Sequence, residues 1–292
     1  MKKFGFYVMN KKGLAVLETV VKSFGSEIVA FVQSAPNESV KEDYYEAITN
    51  FCKNNKIDFF KRNDGKTPDS YFNFAVGWRW LITDFKKLVV FHDSLLPKYR
   101  GFNPLVSCLI NKEPQVGVTA LYAGPEFDVG DILAQRAIQI DHPIRVEKAT
   151  EMLIPLYCEL ANELIHKMTS ENVLEGRPQD LKAVTYSLWR DESDYRINWD
   201  WSAEKIQRHV YAVGFPYKGA SALINNRLIR IDDVEVLPSV TIENPSPGKV
   251  LFVTQGIPTI VCGTGLLKIK EMRYDEGDES ALPLKTYRSR FE

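Results

Sequence analysis

The chain has 292 residues, of which 45% are hydrophobic and 26% are charged, a balance that is typical of a folded globular protein. Its formal net charge of -1 gives no overall positive field that would attract a nucleic acid. No apolar run approaches the roughly 20 residues that a membrane helix requires, and the run at 4–9 is too short for the core of a signal peptide. These features argue against a membrane protein and, mildly, against a nucleic-acid binder.

Four cysteines are scattered along the chain: Cys52, Cys108, Cys158 and Cys262. None of them forms a CxxC pair, so neither a metal site nor a disulfide framework is indicated. Reduced thiols in the core of a cytoplasmic protein are the interpretation that this spacing favours.

The first half of the chain alternates predicted strands with predicted helices. Apolar runs predict strands at 4–9, 27–33, 57–60, 71–82, 87–92, 116–123 and 132–140. Helical spacing of apolar residues predicts helices at 14–24, 40–54 and 144–170. A turn is predicted at 10–13, between the first strand and the first helix. Continuous apolar strands that alternate with helices are typical of a parallel sheet covered on both faces. We therefore predict an α/β fold with a doubly wound, mostly parallel sheet.

The sequence pattern changes after residues 175–178. A helix is predicted at 203–213, with Ser202 as its N-cap. Short segments between turns rich in Gly, Pro and Asn predict strands at 220–224, 228–236, 248–253, 258–262 and 265–272. Several short strands at close spacing indicate a small β-barrel or sandwich. We therefore predict one domain at 1–185 and a second at 186–292, which contains a linker helix and the small β domain.

Two loops of the predicted sheet carry polar groups that suit acid–base chemistry. His92 closes the strand at 87–92 and so lies at the carboxyl edge, where doubly wound sheets bind ligands. Asp128 lies in a glycine-containing loop before the strand at 132–140. Each residue also has an ordinary interpretation, as a hydrogen-bonded core histidine and as a turn-forming aspartate. Together they predict a candidate acid–base pair.

Motifs around these two residues resemble the catalytic core of the folate-dependent formyltransferases. They are HDSLLPKYRG at 92–101, GVT at 117–119 and FDVGDIL at 127–133. Shorter similarities follow in the second domain: RINW at 196–199, SA at 202–203, FPYKGA at 215–220, PGKV at 247–250 and GLL at 265–267. The family includes methionyl-tRNA formyltransferases, glycinamide ribonucleotide transformylases and nucleotide-sugar N-formyltransferases. The resemblance implies a Rossmann-like formyltransferase core followed by an OB-like β-barrel.

The resemblance also implies a co-substrate, 10-formyltetrahydrofolate, and site residues that need no metal. It makes His92 the group that stabilises the oxyanion or relays the proton, and Asp128 the proton acceptor. Substrate-binding roles fall on Ser94, Lys98, Tyr99, Arg100 and Gly101. The pterin is expected at Gly77, Trp78, Arg79, Trp80 and Leu81, with Phe127 covering it from the loop at 124–129. A buried aromatic strand is an alternative interpretation of 77–81, and a surface ion pair is the alternative for Arg100.

The family pattern is broken on both sides of His92. Val90 stands where the family has an Asn, and a valine side chain cannot donate a hydrogen bond. Asp93 replaces the Pro that usually follows the histidine, and an ionised carboxylate there would repel an oxyanion. Asn103 is our candidate for the missing donor and is therefore counted with the catalytic residues. The alternatives are a slow or repurposed enzyme and a protein that binds folate or a sugar without transferring a formyl group.

These features predict an N-formyltransferase whose small-molecule partner is a nucleotide-linked amino sugar. The near-neutral charge and the lack of a Lys/Arg-rich loop favour a sugar over a tRNA. Methionyl-tRNA formyltransferase, a non-catalytic relative and a hydrolase of 10-formyltetrahydrofolate stay open as alternatives. We expect no membrane partner. We also expect a homodimer, because sugar-modifying relatives are often dimeric.

Overall fold

The computed structural model describes residues 1–170 and 174–292, which fall into two compact units. The first unit comprises Met1–Leu105, Pro114–Ile140 and Ala149–Leu188. The second unit comprises Val106–Glu113, Asp141–Lys148 and Trp189–Glu292. Two short segments of the first half of the chain thus belong to the second unit, which no sequence pattern indicated. The domain limits 1–185 and 186–292 stay a prediction.

The first unit is built on a seven-stranded sheet in the order β3-β2-β1-β4-β5-β7-β8. The strands of this unit are β1 (Phe4–Val8), β2 (Val29–Ser34), β3 (Phe59–Lys61), β4 (Phe72–Val76), β5 (Leu88–His92), β6 (Arg100–Gly101), β7 (Gln115–Tyr122), β8 (Ile132–Gln139) and β9 (Tyr186–Ser187). The strands from β3 to β5 in the sheet order pair in parallel, whereas β7 and β8 continue the sheet in antiparallel pairing. The short strands β6 and β9 pair with each other in parallel. The predicted mostly parallel sheet is confirmed.

The sheet forms because its central strands are apolar on both faces. Every residue of β1 is buried, and Phe6 and Phe74 of the neighbouring strand stack with ring centroids 5.6 Å apart. The helices of the chain are α1 (Asn10–Phe24), α2 (Tyr45–Asn54), α3 (Pro104–Ile110), α4 (Val146–Ser170) and α5 (Ala203–Ala212). No helix was predicted at the segment of α3, although a proline at the first helical position is a start signal.

The predicted turn at 10–13 is wrong, because α1 begins directly after β1. Asn10 adopts a left-handed φ of 58°, which asparagine tolerates, and its Oδ1 accepts a hydrogen bond from Lys12 N at 3.0 Å. Gly13 lies inside the helix, where a Cβ would come within 2.9 Å of Val8 Cβ. This glycine therefore serves close packing of the helix on the strand and does not form a turn. The direct junction brings the first turn of α1 to the carboxyl edge of the sheet.

Two other predicted elements are shorter in the structure. The helix predicted at 40–54 begins at Tyr45, whose N–H donates to Asp43 Oδ1 at 3.2 Å, an interaction that replaces one of the missing bonds of the first turn. The strand predicted at 71–82 ends at Val76, because Gly77 follows with a φ of 66°. The chain leaves the sheet at that glycine.

The second unit contains a five-stranded antiparallel sheet in the order β10-β11-β14-β13-β12. Its strands are β10 (Ala220–Ile224), β11 (Arg227–Leu237), β12 (Val250–Thr254), β13 (Ile257–Val261) and β14 (Leu266–Tyr274). The prediction of a small β domain is confirmed. Ser202 caps α5 as predicted, because its side chain accepts a hydrogen bond from Lys205 N at 3.3 Å. Within the described part of the chain, no helix is both long and apolar enough to span a bilayer.

Candidate active site

His92 is the last residue of β5 and is held at both ring nitrogens. Its side chain is only 7% exposed, and its Nε2 lies 2.8 Å from the carbonyl oxygen of Tyr99. Because a carbonyl only accepts, Nε2 carries the hydrogen in this contact. The other nitrogen, Nδ1, lies 3.4 Å from Oδ2 of Asp128. The Nδ1 side of the ring therefore faces a carboxylate, which can accept a hydrogen bond from it.

Asp128 reaches His92 from the loop between β7 and β8. The residue has a left-handed φ of 56°, and its side chain is 10% exposed. Its Oδ2 also accepts a hydrogen bond from the backbone N–H of Gly101 at 2.8 Å. Gly101 has a φ of 99°, and a Cβ there would come within 2.6 Å of the carbonyl oxygen of Ser187. The predicted acid–base pair is thus brought together, with a backbone donor beside it.

The turn after His92 is fixed by buried hydrogen bonds. Ser94 is 1% exposed, and its hydroxyl donates to the carbonyl oxygen of Lys98 at 2.7 Å. Thr119 Oγ1 donates to the carbonyl oxygen of Ser94 at 2.6 Å and accepts from Leu96 N at 3.1 Å. Ser94, which was predicted to bind substrate, therefore has its hydroxyl engaged within the turn. Lys98 is exposed at the end of the turn.

Arg100 points into the protein and contacts Gln179, for which no role was predicted. Arg100 is 4% exposed, and its guanidinium donates from Nε and Nη2 to Gln179 Oε1, at 3.1 and 2.8 Å. The amide nitrogen of Gln179 donates to the carbonyl oxygens of Asp128 and Gly130, at 2.7 and 2.8 Å. Substrate binding by Arg100 stays a prediction, and its guanidinium has little surface to offer. Nothing in the sequence pattern marked Gln179.

Asp93 points to a different set of partners from those of His92. Its carboxylate accepts hydrogen bonds from the ammonium of Lys12 and the hydroxyl of Tyr157. Lys12 is 8% exposed and Tyr157 is 1% exposed. Burial raises the pKa of Asp93. The charge and hydrogen bond of Lys12, together with the hydroxyl of Tyr157, lower it by more than burial raises it, so that the pKa lies below its usual range. Burial, and then Asp93 itself, hold the pKa of Tyr157 well above its ordinary value.

The sequence contained one signal for this second cluster. A carboxylate that directly follows a buried strand needs a cation or several donors. Asp93 therefore indicated a nearby cation such as Lys12. Because 10–13 was predicted to be a turn, Lys12 was not recognised as part of a helix that reaches Asp93.

The aromatic segment 77–81 packs mainly on the first strands of the sheet. The rings of Trp78 and Tyr7 lie 5.4 Å apart, and Trp78 and Trp80 lie 5.1 Å apart. Trp80 lines a cavity of about 420 Å³ together with Lys61 and Arg62. The predicted pterin site and the alternative of a packed aromatic segment are both compatible with this placement. Arg79 is exposed and donates to Asn37 and Ser39, and Leu81 is also exposed.

Two further predicted residues lie in the loops that flank the Asp128–Gly101 hydrogen bond. Phe127 is 52% exposed, and its ring centroid lies 5.1 Å from that of the exposed Phe102. Asn103 is half-buried, has a left-handed φ of 47° and directly precedes α3. Val90 packs in an apolar cluster with Leu96, Leu121 and Ile132, where the family would have an asparagine. In the described ranges, 1–170 and 174–292, no group of His, Cys, Asp or Glu side chains could hold a metal ion.

Comparison with known proteins identifies two parts of the chain. Residues 80–153 match the family model described as formyl transferase, and residues 190–283 match the model of the formyl transferase C-terminal domain. The methionyl-tRNA formyltransferase of Acetivibrio thermocellus is 30% identical over 184 residues, which are 63% of this chain and 58% of that protein. The chain thus spans little more than half the length of this curated relative.

Solved structures share the fold over nearly the whole chain. The sugar 3N-formyl transferase WlaRD, solved in the presence of dTDP and 5-N-formyl-THF, superposes with a TM-score of 0.68 at 17% identity, covering 92% of this chain and 97% of that one. An N-formyltransferase from Helicobacter canadensis, solved in complex with folinic acid and dTDP-3-aminofucose, gives 0.68 at 18% identity, covering 92% and 98%. At 17% and 18% identity, these similarities establish a shared fold and nothing more.

The two family models together cover more than half of the chain, in the order in which the two domains occur in the family. The chain belongs to the formyl transferase family. The resemblance seen in the motifs at 92–101 and 127–133 is therefore confirmed.

Proposed function

We propose that the chain is an N-formyltransferase that moves the formyl group of 10-formyltetrahydrofolate to the amino group of a nucleotide-linked amino sugar. The observation that carries this proposal is the pair of His92 and Asp128 at the carboxyl end of β5, with Nδ1 and Oδ2 3.4 Å apart. Membership of the formyl transferase family supports the reaction type. The two sugar-modifying enzymes of similar fold support the substrate class, because each matches 92% of this chain.

The reaction needs a proton acceptor and a group that tolerates negative charge on oxygen. The acceptor amine attacks the formyl carbon, and a carbon–nitrogen bond forms as the carbonyl oxygen becomes an oxyanion. The bond between the formyl carbon and N10 of the folate then breaks, and N10 takes up a proton. His92 stabilises the oxyanion as imidazolium while Asp128 takes the proton of the amine, or His92 as neutral imidazole relays that proton to Asp128.

The aromatic segment and its neighbours supply the co-substrate site of this proposal. Trp78 and Trp80 offer rings that suit the flat pterin. Lys61 and Arg62 line the cavity beside Trp80, and the guanidinium of Arg62 lies over the Trp80 ring, 4.4 Å from its centroid. Phe127 is exposed next to Asp128, and in this proposal its ring covers the pterin.

The acceptor site of this proposal lies around the turn after His92. Lys98 is exposed and can contact a diphosphate or a sugar hydroxyl. Asn103 is the proposed donor to the oxyanion in place of the asparagine that Val90 has replaced. Its amide can donate two hydrogen bonds, whereas Val90 can donate none.

Methionyl-tRNA is the second candidate acceptor, and a specific observation favours it. The curated relatives named methionyl-tRNA formyltransferase align with this chain at about 30% identity over 63% of its length. The net charge of -1 favours the sugar, because binding to a tRNA backbone draws on clustered Lys and Arg.

The test is release of tetrahydrofolate from 10-formyltetrahydrofolate, measured with dTDP-, UDP- and GDP-linked amino sugars and with methionyl-tRNA. Mass spectrometry then examines each acceptor for one added formyl group. We expect a formyl adduct on one nucleotide sugar and none on the tRNA. An adduct on methionyl-tRNA alone would replace the proposed acceptor, and tetrahydrofolate release without any adduct would identify a hydrolase.

A further inference from the structure

The side-chain amide of Gln179 connects two loops of the site through both of its polar atoms. Its oxygen accepts both bonds from Arg100, and its nitrogen donates to the carbonyl oxygens of Asp128 and Gly130. An amide nitrogen has two hydrogens, so both of its donors are used. Gln179 therefore ties the Arg100 turn to the loop that carries Asp128.

The loop at Asp128 has a conformation that needs such support. A left-handed φ of 56° is uncommon for a residue with a side chain, and it persists where the surroundings hold it. The two carbonyls bound by Gln179 lie at Asp128 itself and two residues further on, so both sides of the turn are held. With the backbone fixed in this way, the carboxylate is directed to His92 and to the N–H of Gly101.

Arg100 keeps Gln179 in place. The guanidinium of a residue that is only 4% exposed needs acceptors within the protein, and Gln179 Oε1 accepts from both Nε and Nη2. A charged donor also gives a stronger hydrogen bond than a neutral one, which fixes the orientation of the amide. The oxygen of the amide therefore faces Arg100, and the nitrogen is left to face the two carbonyls.

We propose that Gln179 is a positioning residue that holds the Asp128 loop in register with His92, and that Arg100 orients Gln179 for this task. The proposal rests on the proposed function of His92 and Asp128. It gives Arg100 a role through Gln179 and Asp128, in place of direct contact with the acceptor.

The test compares Gln179→Glu with Gln207→Glu. Gln179→Glu keeps an acceptor for Arg100 but removes both donors to the loop. Gln207 in the second unit also donates to a backbone carbonyl, that of Val234 at 3.3 Å, and so provides the same chemical change elsewhere. We expect Gln179→Glu to lower kcat by roughly 100-fold, because a small misplacement of a reacting group has effects of that size. KM for both substrates should stay within about threefold, and Gln207→Glu should behave as the wild type.

A second readout does not depend on turnover. The imidazole nitrogen resonances of His92 are recorded by NMR in the wild type, Asp128→Asn, Gln179→Glu and Gln207→Glu. We expect Asp128→Asn and Gln179→Glu to shift the His92 signals in the same direction and Gln207→Glu to leave them unchanged. Gln179→Met, which is similar in length and uncharged, repeats both measurements if the glutamate variant does not fold.

The outcomes separate this proposal from the proposed function. A wild type without formyl transfer would overturn the proposed function, while the His92 signals would still decide whether Gln179 positions Asp128. An unchanged kcat in Gln179→Glu would overturn the role of Gln179 in an active enzyme. A lower kcat with unchanged His92 signals would also overturn it, because Gln179 would then act by a route that does not include Asp128 and His92.

Discussion

Two carboxylates lie next to His92, and their surroundings give them different chemistry. Asp93 follows the histidine in sequence and is occupied by Lys12 and Tyr157, both of which are buried. Asp128 comes from a distant loop and faces His92 Nδ1, with one backbone N–H as its other contact. The first carboxylate is neutralised by the ammonium of Lys12, whereas the second lies beside the imidazole of His92 and a backbone N–H.

The comparison shows that a carboxylate's role depends more on its partners than on its distance in sequence from the histidine. Asp93 has a pKa below its usual range, with a cation and a phenol bound to it, so it is a poor proton acceptor. The expected repulsion between Asp93 and an oxyanion is reduced because Lys12 balances the charge. We therefore expect Asp128 to take part in catalysis and Asp93 to hold the end of β5.

The largest effect is expected from His92→Ala, which removes the imidazole that Asp128 faces. We expect kcat for formyl transfer to fall by roughly 1,000-fold, because the variant loses acid–base assistance. His142→Ala is the matched control, since His142 Nε2 also lies 2.8 Å from a backbone carbonyl, that of Glu113. Tetrahydrofolate release and circular dichroism are measured for both. Near-normal turnover of His92→Ala would remove the acid–base assignment.

Asp128→Asn tests the catalytic side of the comparison. Its amide keeps the size of the carboxylate but cannot take a proton, so we expect kcat to fall about 100-fold with little change in KM. Glu126→Gln changes an exposed carboxylate of the same loop and should leave kcat unchanged. Steady-state kinetics give both constants. An effect confined to KM would mean that Asp128 binds substrate and does not transfer a proton.

Asp93→Asn tests whether Asp93 serves to stabilise the fold, so its effect should appear in the free energy of unfolding. Because the folded pKa of Asp93 is lowered, its contribution to stability is present above the unfolded pKa of about 3.9 and is lost as the pH falls through the folded pKa. The variant leaves Lys12 buried without its counterion, so we expect a loss of about 3 kcal/mol at neutral pH.

The measurement for Asp93→Asn is urea unfolding between about pH 7 and pH 3, a window that includes the unfolded pKa. The wild type should lose stability towards the acid end, and the variant should lose less. Asp84→Asn, at an exposed position, should follow the wild type. Equal pH dependence of the Asp93 variant and the wild type would show that Lys12 and Tyr157 do not lower the pKa of Asp93.

Val90→Asn is expected to have the smallest effect on kcat. It tests the strand that carries His92, two residues before the histidine. It restores the residue type of the family pattern, so kcat should equal or exceed that of the wild type. An amide placed beside Leu121 and Ile132 should cost about 1–2 kcal/mol of stability. Kinetics and thermal unfolding are measured together. A large loss of kcat in a folded variant would show that the site has been rebuilt around valine.

The sequence was sufficient for the architecture because apolar periodicity is a local signal. The continuous apolar run of β5 and the turn-rich spacing of the second half each depend on neighbouring residues alone. The errors occur where one residue has two uses: Gly13 was interpreted as a turn former, whereas it packs against Val8 inside a helix. The antiparallel direction of β7 and β8 could not be inferred, since direction depends on pairing between distant segments.

The candidate site was predictable only as far as its motifs extend. His92 and Asp128 lie in recognisable motifs, and the structure brings them within 3.4 Å of each other. Gln179 was missed, because a glutamine in a loop has no spacing that reveals its partners. Arg100 was predicted to bind substrate, with a surface ion pair as the alternative. The structure buries the residue, and this burial depends on contacts with Gln179, far along the chain.

The segment that follows α4 has a consequence for anyone who shortens this chain. Backbone hydrogen bonds at 2.8 Å join Arg177 to Ile132 in both directions, and Thr185 Oγ1 accepts from Tyr99 N at 2.9 Å. Ser187 completes the small sheet with Gly101. A fragment that ends with the last helical residue, Ser170, would therefore keep His92 and Asp128 but lose the chain that braces them. A minimal catalytic fragment has to extend at least through Ser187.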